Sequence, residues 1–387
     1  MTETVGVPPA QARPTGPGFW RGTWVIAALE LRQRLRSRTL LVLAIVWFCV
    51  IGAVTLLVWG ALTAMFSAFG ADEDGFPLFS VIVYFVLLFG TLVAPAISAG
   101  SIGDERRQAT LATTQVTLIG SWSLLLGKTL AAWITGVAFL VVAAPFVVFS
   151  LFVGQASLGQ LLMALLGLVL QIGVFTVIGV GLSAMIESSV LAIVTAYLLV
   201  ALLSVGTLIA FSLAAAASTR YVEVEVRTLT EEYYEATDRC YDETDDDDDE
   251  CWNSVPLECE TSIETMPYVG TDKLWWILAL NPYVVVADLV PPSYSHGTPV
   301  DLFGNISYGV RSLQTNPDRP EGWNECSGSD AYDDAGGSGY ADVMASTVPV
   351  WWIGLGLQAL LVAGALWGGY RRLDTPAAKL PKGSRVA

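Results

Sequence analysis

Six stretches of the chain are apolar at nearly every position: Leu40–Ala64, Phe79–Ser101, Leu124–Val153, Gln160–Met185, Val190–Ala215 and Val348–Tyr370. A helix on the surface of a soluble protein repeats polar residues along one face, and these stretches do not. Each is long enough to cross a hydrocarbon core of roughly 30 Å, which takes roughly 20 residues of helix. Lipid leaves only helices and closed barrels as ways to satisfy the backbone, and these runs are too long and continuous for barrel strands. The pattern predicts an all-α polytopic membrane protein built on a six-helix transmembrane bundle.

Two further stretches have their own patterns. In Trp20–Arg38, Trp24, Ala28, Leu31 and Leu35 recur at helical spacing, while Glu30, Arg34 and Arg36 point elsewhere. This predicts an N-terminal elbow helix in the headgroup plane, with Arg32, Arg34 and Arg36 as interfacial anchors reaching phosphates. The same pattern also suits a plain flank of the first span. Leu274–Val290 is apolar but short and broken, which predicts a pair of interfacial or re-entrant helices kinked at Asn281-Pro282. The connection between spans two and three is longer than a tight helical hairpin and is expected to present a folded surface. Spans four and five meet at Glu187-Ser188-Ser189, where Glu187 is expected as an exposed capping carboxylate.

Charge changes this picture by giving the bundle a direction. The 387 residues carry a formal net charge of −16, but residues 217–345 hold 27 of the 36 acidic and only 6 of the 20 basic side chains. That segment sums to −21 and the remainder to +5. Basic residues flank the cytoplasmic ends of spans. Arg32 to Arg38 precede the first span, Arg106 and Arg107 follow the second, Lys128 opens the third, and Arg371 to Arg385 follow the sixth. Lys128 is expected to snorkel to the inner interface as a further anchor. The chain then divides into a disordered cytoplasmic lead (1–19), elbow and five spans (20–216), a large acidic extracytoplasmic loop (217–345), the sixth span (346–371) and a cytoplasmic tail (372–387). The expected location is the cell membrane, multi-pass, with both termini cytoplasmic.

Cys240, Cys251, Cys259 and Cys326 all fall in the acidic segment, where disulfides persist if it lies outside. Four cysteines allow three pairings. Cys49 is alone in a span and is expected as an inert packing residue. Asp245, Asp246, Asp247, Asp248 and Asp249 are a weak metal candidate: carboxylates suit hard cations, but the run lacks the spacing and glycine of an EF-hand loop. A run of like charges more often stays solvated. The single histidine, His296, supports neither a zinc site nor a catalytic triad. Gly127-Lys128-Thr129 looks like the end of a phosphate-binding loop, yet the position five before Gly127 is Trp122 rather than glycine. No nucleotide site of the chain's own is expected, and nothing points to nucleic acid.

Several features together resemble the permease subunit of an ABC-2-type transporter. They are the basic elbow, the inner loop reading Gly103-Asp-Glu-Arg-Arg-Gln-Ala-Thr-Leu111, then Leu126-Gly127-Lys128, the Asn281-Pro282 element followed by Asp288, and the tail starting Arg371-Arg-Leu-Asp-Thr-Pro-Ala377. Ala109 stands where such proteins often have glycine, and the acidic segment is an elaboration outside the resemblance. The resemblance implies a transport subunit without catalysis of its own, coupled to ATP hydrolysis in a separate cytoplasmic ABC subunit that binds ATP and Mg. It implies a second permease copy or paralogue as dimer partner, and membrane lipid around both. By position, Glu105, Arg106 and Arg107 would anchor a coupling helix that begins at Thr110 and Leu111. The sparsely charged spans suit an amphipathic or lipid-like cargo. A competing expectation is a membrane-anchored binding or sensing protein that presents the 217–345 segment.

Overall fold

A computed structural model describes residues 18–69, 77–107, 120–243, 251, 255, 258–295, 298–315, 326 and 340–373. Six of its helices are long and apolar enough to cross a membrane. Helix α1 (Phe19–Leu35) leads into the first span, α2 (Arg38–Phe69), and the second span is α3 (Leu78–Ser98). The short α4 (Gly103–Arg107) follows, then the third and fourth spans, α5 (Ser121–Val153) and α6 (Leu158–Met185). The fifth span is α7 (Ser189–Ala201), a π turn at Leu202–Gly206, and α8 (Thr207–Ala217). The sixth is Val350–Leu373.

The second span is the axis of the bundle: 61% of its apolar window is buried, against 17% for the first and fifth. Lipid is as apolar as leucine, so burial alone does not drive spans together; close packing and hydrogen bonds do. Trp47 shows both. Its ring stacks on Phe89 at 4.0 Å, and its Nε1 donates to the Phe139 carbonyl at 3.1 Å, which joins spans one, two and three. Halfway along spans four and six, the fully buried Gln171 donates to Gln358 at 3.0 Å. Glycines allow the closest approaches. A Cβ on Gly127 would lie 2.8 Å from the Thr23 carbonyl oxygen, so α1 can lie on α5 only because that side chain is absent. A Cβ on Gly354 would overlap the Ala279 carbonyl.

The segment between spans five and six corrects a purely helical expectation. Strands β1 (Thr219–Leu229) and β2 (Cys259–Val269) form an antiparallel ribbon with Thr219 opposite Val269 and Leu229 opposite Cys259. Val224 and Val226 are buried while Glu223, Glu225 and Arg227 are exposed, the alternation that a strand imposes. A lone two-stranded ribbon is marginal in water. Two disulfides reinforce this one, Cys240–Cys251 after β1 and Cys259–Cys326 at the start of β2. Of the three pairings open to the sequence, this is the one formed. Helix α9 (Glu231–Glu243) follows β1, and Asp245–Asp249 and His296 lie outside the described residues.

Beyond the ribbon come α10 (Trp276–Ala279) and α11 (Pro282–Leu289), the expected kinked pair. Asn281 caps α11 by accepting from the Tyr283 N–H at 2.9 Å, and Pro282 occupies the first turn, where no backbone donor is required. A hairpin of β3 (Tyr294–Ser295) and β4 (Thr298–Pro299), α12 (Leu302–Ser312) and α13 (Tyr340–Ser346) complete the segment; the sixth span is α14. Asp301 caps α12, bonding the Gly304 and Ser293 N–H groups at 2.7 Å each. Burial pushes its carboxyl above the ordinary range, against the pull of those bonds.

Gly127→Ala is expected to lower the thermal midpoint in detergent, since overpacking against a backbone carbonyl costs about 1–3 kcal/mol. Gly356→Ala, where a Cβ meets nothing within 4 Å, serves as the matched control and should leave the midpoint level or raise it. Equal midpoints would remove the close approach of α1 and α5 as a constraint.

Candidate functional site

The site follows from one buried cation. Lys128 lies two turns into α5 with 1% of its side chain exposed, and its acceptors come from α1 and from the connection after the second span. Its Nζ donates to Glu30 Oε1 on α1 at 2.5 Å, to Glu105 Oε1 on α4 at 2.6 Å and to the Ser101 carbonyl at 3.4 Å. An ammonium has three protons, and three acceptors take them. Glu30 uses its second oxygen on Arg34 Nε at 3.6 Å, and Arg34 reaches Thr135 of α5 at 3.4 Å. Burial pulls the Arg34 guanidinium below its ordinary range, which Glu30 opposes. Two cations thus face two carboxylates, so the hub carries no formal net charge.

This arrangement differs from the expectation that Lys128 snorkels to headgroups. The flank of a span and a buried crossing look alike in one dimension, and Glu30 is 98 residues away. Arg34 also turns inward rather than serving as a headgroup anchor. The buried residues of α1 are Gly22, Thr23 and Ala27, Ile26 packs against Gly127 of α5, and Glu30 and Arg34 continue that face. Trp24 and Leu35 lie on the outward side with Arg32 and Arg36. The sign of Glu30's role in the sequence is its place as a lone acid beside Arg32, Arg34 and Arg36.

The hub also fixes where the loop between spans two and three departs. The N–H groups of Ile102 and Gly103 donate to Ser183 of α6 at 3.0 and 3.2 Å. A Cβ on Gly103 would sit 3.2 Å from the Cα of Ser189, which opens α7. Glu105 therefore starts the loop on a base bound to α1, α5, α6 and α7. Arg106 and Arg107 complete α4, and Thr110 and Leu111 lie outside the described residues. Nearby, Trp122 stacks on Tyr370 at 4.5 Å and Arg372 pairs with Glu187 at 2.5 Å. Glu187 is exposed as expected, but the cap of α7 is Ser188, whose hydroxyl accepts from the Leu191 N–H.

The ribbon end of the bundle has a second buried charge. The Asp288 side chain is 1% exposed and accepts from Arg311 Nε and Ser307 Oγ at 2.6 Å each. Its other oxygen accepts from the Val350 and Trp351 N–H groups at 2.5 and 3.0 Å, which caps the sixth span from outside it. Beside it, an apolar groove of about 890 Å³ runs between spans two and five and the α10–α12 helices. Leu92, Tyr197, Val205, Phe211, Leu278 and Val310 contribute to its lining. Asn281 sets one wall: its Nδ2 donates to the Ser204 carbonyl in the π turn at 2.7 Å and to Thr207 Oγ1 at 3.0 Å. A π turn displaces backbone carbonyls from the regular ladder, and the amide side chain supplies a donor to one of them. Cys49, expected to be packed inside, is exposed on the first span.

No family model and no curated protein sequence matches this chain.

Removing one partner of a buried ion pair typically costs about 3–5 kcal/mol, because the remaining charges stay desolvated. Lys128→Met is expected to lower stability by that order, read as an unfolding midpoint in detergent. Adding Glu105→Gln, which leaves Glu30 paired with Arg34, should restore most of the loss. If the single and double variants unfold together, charge pairing does not hold the hub.

Proposed function

We propose that this chain is the membrane-spanning permease subunit of an ATP-driven exporter of the ABC-2 type. The observation that carries the reading is the base of the loop at Gly103–Arg107, bound through Lys128 to α1 and the third span and through Ser183 to the fourth. A partner pressing on that loop would move several spans as one body. Coupling needs two discrete arrangements and a ligand that favours one of them; ATP in a separate cytoplasmic subunit supplies that preference. In this reading α1 is the elbow, both termini and the loop face the cytoplasm, and the acidic ribbon segment is extracytoplasmic. A second copy or a paralogue completes the dimer.

The apolar groove supports an amphipathic or lipid-like substrate. It is open on spans two and five, whose Leu88, Leu92, Val205 and Leu208 are exposed, so a molecule dissolved in the bilayer can reach it sideways. Tyr197 and Ser212 are among the few polar residues of its lining and would face a headgroup. The stapled ribbon favours a second reading, an anchored extracytoplasmic binding protein, in which the spans only present the 217–345 segment.

The two readings separate on a mild-detergent purification of the tagged chain from its native membrane, with mass spectrometry of bound proteins and an ATP hydrolysis assay. A stoichiometric ATP-binding subunit is expected. Arg106→Glu with Leu111→Asp should release it while leaving the hub and the unfolding midpoint unchanged. Glu105 is unsuitable for that test because it also holds Lys128. A chain that purifies alone, without ATPase activity in several detergents, would overturn the permease reading in favour of the anchored one.

A further inference from the structure

Helix α1 sorts its arginines between two faces. Arg34 turns inward to Glu30 and Thr135, whereas Arg32 and Arg36 are exposed on the opposite side, one turn apart. Among the described residues neither has an ion-pair or hydrogen-bond partner. They share one exposed face of α1, the ledge, with Trp24, Leu29 and Gln33. Trp24 is 63% and Leu29 55% exposed, so the ledge joins two uncompensated guanidiniums to open apolar surface.

The position of the ledge selects its occupant. Only Ser37 separates Arg36 from the first residue of the first span, and its N–H bonds back to Arg34 O at 3.0 Å. Arg36 therefore stands where that span enters the membrane, at the level of headgroups. Guanidinium is suited to phosphate because its planar donors meet two oxygens at once. Tryptophan prefers the same boundary. A zwitterionic headgroup would leave the two positive charges only partly compensated, and an anionic one supplies the missing charge.

We propose that the ledge binds the headgroup of an anionic phospholipid, with Arg32 and Arg36 on its phosphate and an acyl chain against Trp24 and Leu29. Gln33 provides a further polar group at the rim. The ledge lies on the face of α1 opposite Glu30, so an occupied ledge holds α1 from outside while Lys128 holds it from within. The proposal does not depend on the permease reading, because the binding belongs to the chain alone.

The test uses the full chain in detergent, without any ATP-binding subunit. Phosphatidylglycerol and phosphatidylcholine of identical acyl chains are titrated in turn, and bound lipid is read by native mass spectrometry. Preferential retention of phosphatidylglycerol is expected. Arg32→Gln with Arg36→Gln should weaken it on the order of tenfold. Arg220→Gln with Arg227→Gln on the ribbon makes the same charge change and should leave it unaltered. Equal retention of the two lipids by the wild-type chain would overturn the proposal even if a variant failed to fold. So would unchanged binding by a folded Arg32/Arg36 variant, or full displacement by millimolar inorganic phosphate, which would indicate a site for free anions.

Discussion

A desolvated ammonium is stable only while its acceptors stay in place, and Lys128 has its acceptors on separate segments. Glu30 arrives from a helix that precedes the bundle, and Glu105 and the Ser101 carbonyl from the connection after the second span. None of these segments can drift without exposing a charge to a medium that does not solvate it. The absence of a side chain at Gly127 permits the approach, and the charges then fix its register. The basic end of the bundle is therefore organised around electrostatic satisfaction more than around apolar burial, which within lipid gains little.

The ribbon end solves the same problem with the opposite sign. Asp288 is a buried carboxylate whose partners are Arg311, Ser307 and the first backbone donors of the sixth span. A helix start that enters a membrane without a cap would leave orphan N–H groups, and here a residue more than sixty positions earlier receives them. Between the two charged ends lies the Gln171–Gln358 contact, which also takes the Leu280 carbonyl through Gln358 at 3.3 Å. Polar contacts thus join segments distant in sequence at both ends of the bundle and between them.

How much of this could be read in the chain depends on distance along it. The six spans are legible because uniform apolarity over that length has one stable outcome in lipid. The α10–α11 pair is legible because Asn281-Pro282 combines a cap with a missing donor. The ribbon leaves a short trace: Val222-Glu-Val-Glu-Val226 alternates with a period of two, over too few residues of an acid-rich stretch to separate a strand from a solvated loop. The hub, the choice among disulfide pairings and the Asp288 cap were not readable. Each joins residues whose meeting is decided by helix packing, and a lysine near the end of an apolar run looks the same whether it reaches water or a carboxylate.

The π turn at Leu202–Gly206 has a geometric consequence for the fifth span. One added residue in a helix rotates everything after it by about 100°. Leu208 and Phe211 line the groove from beyond that turn, and the span on either side is apolar all round. Hydrophobicity therefore does not choose which side chains face the groove and which face lipid. The phase of the helix makes that choice, and Asn281 holds the phase from another segment.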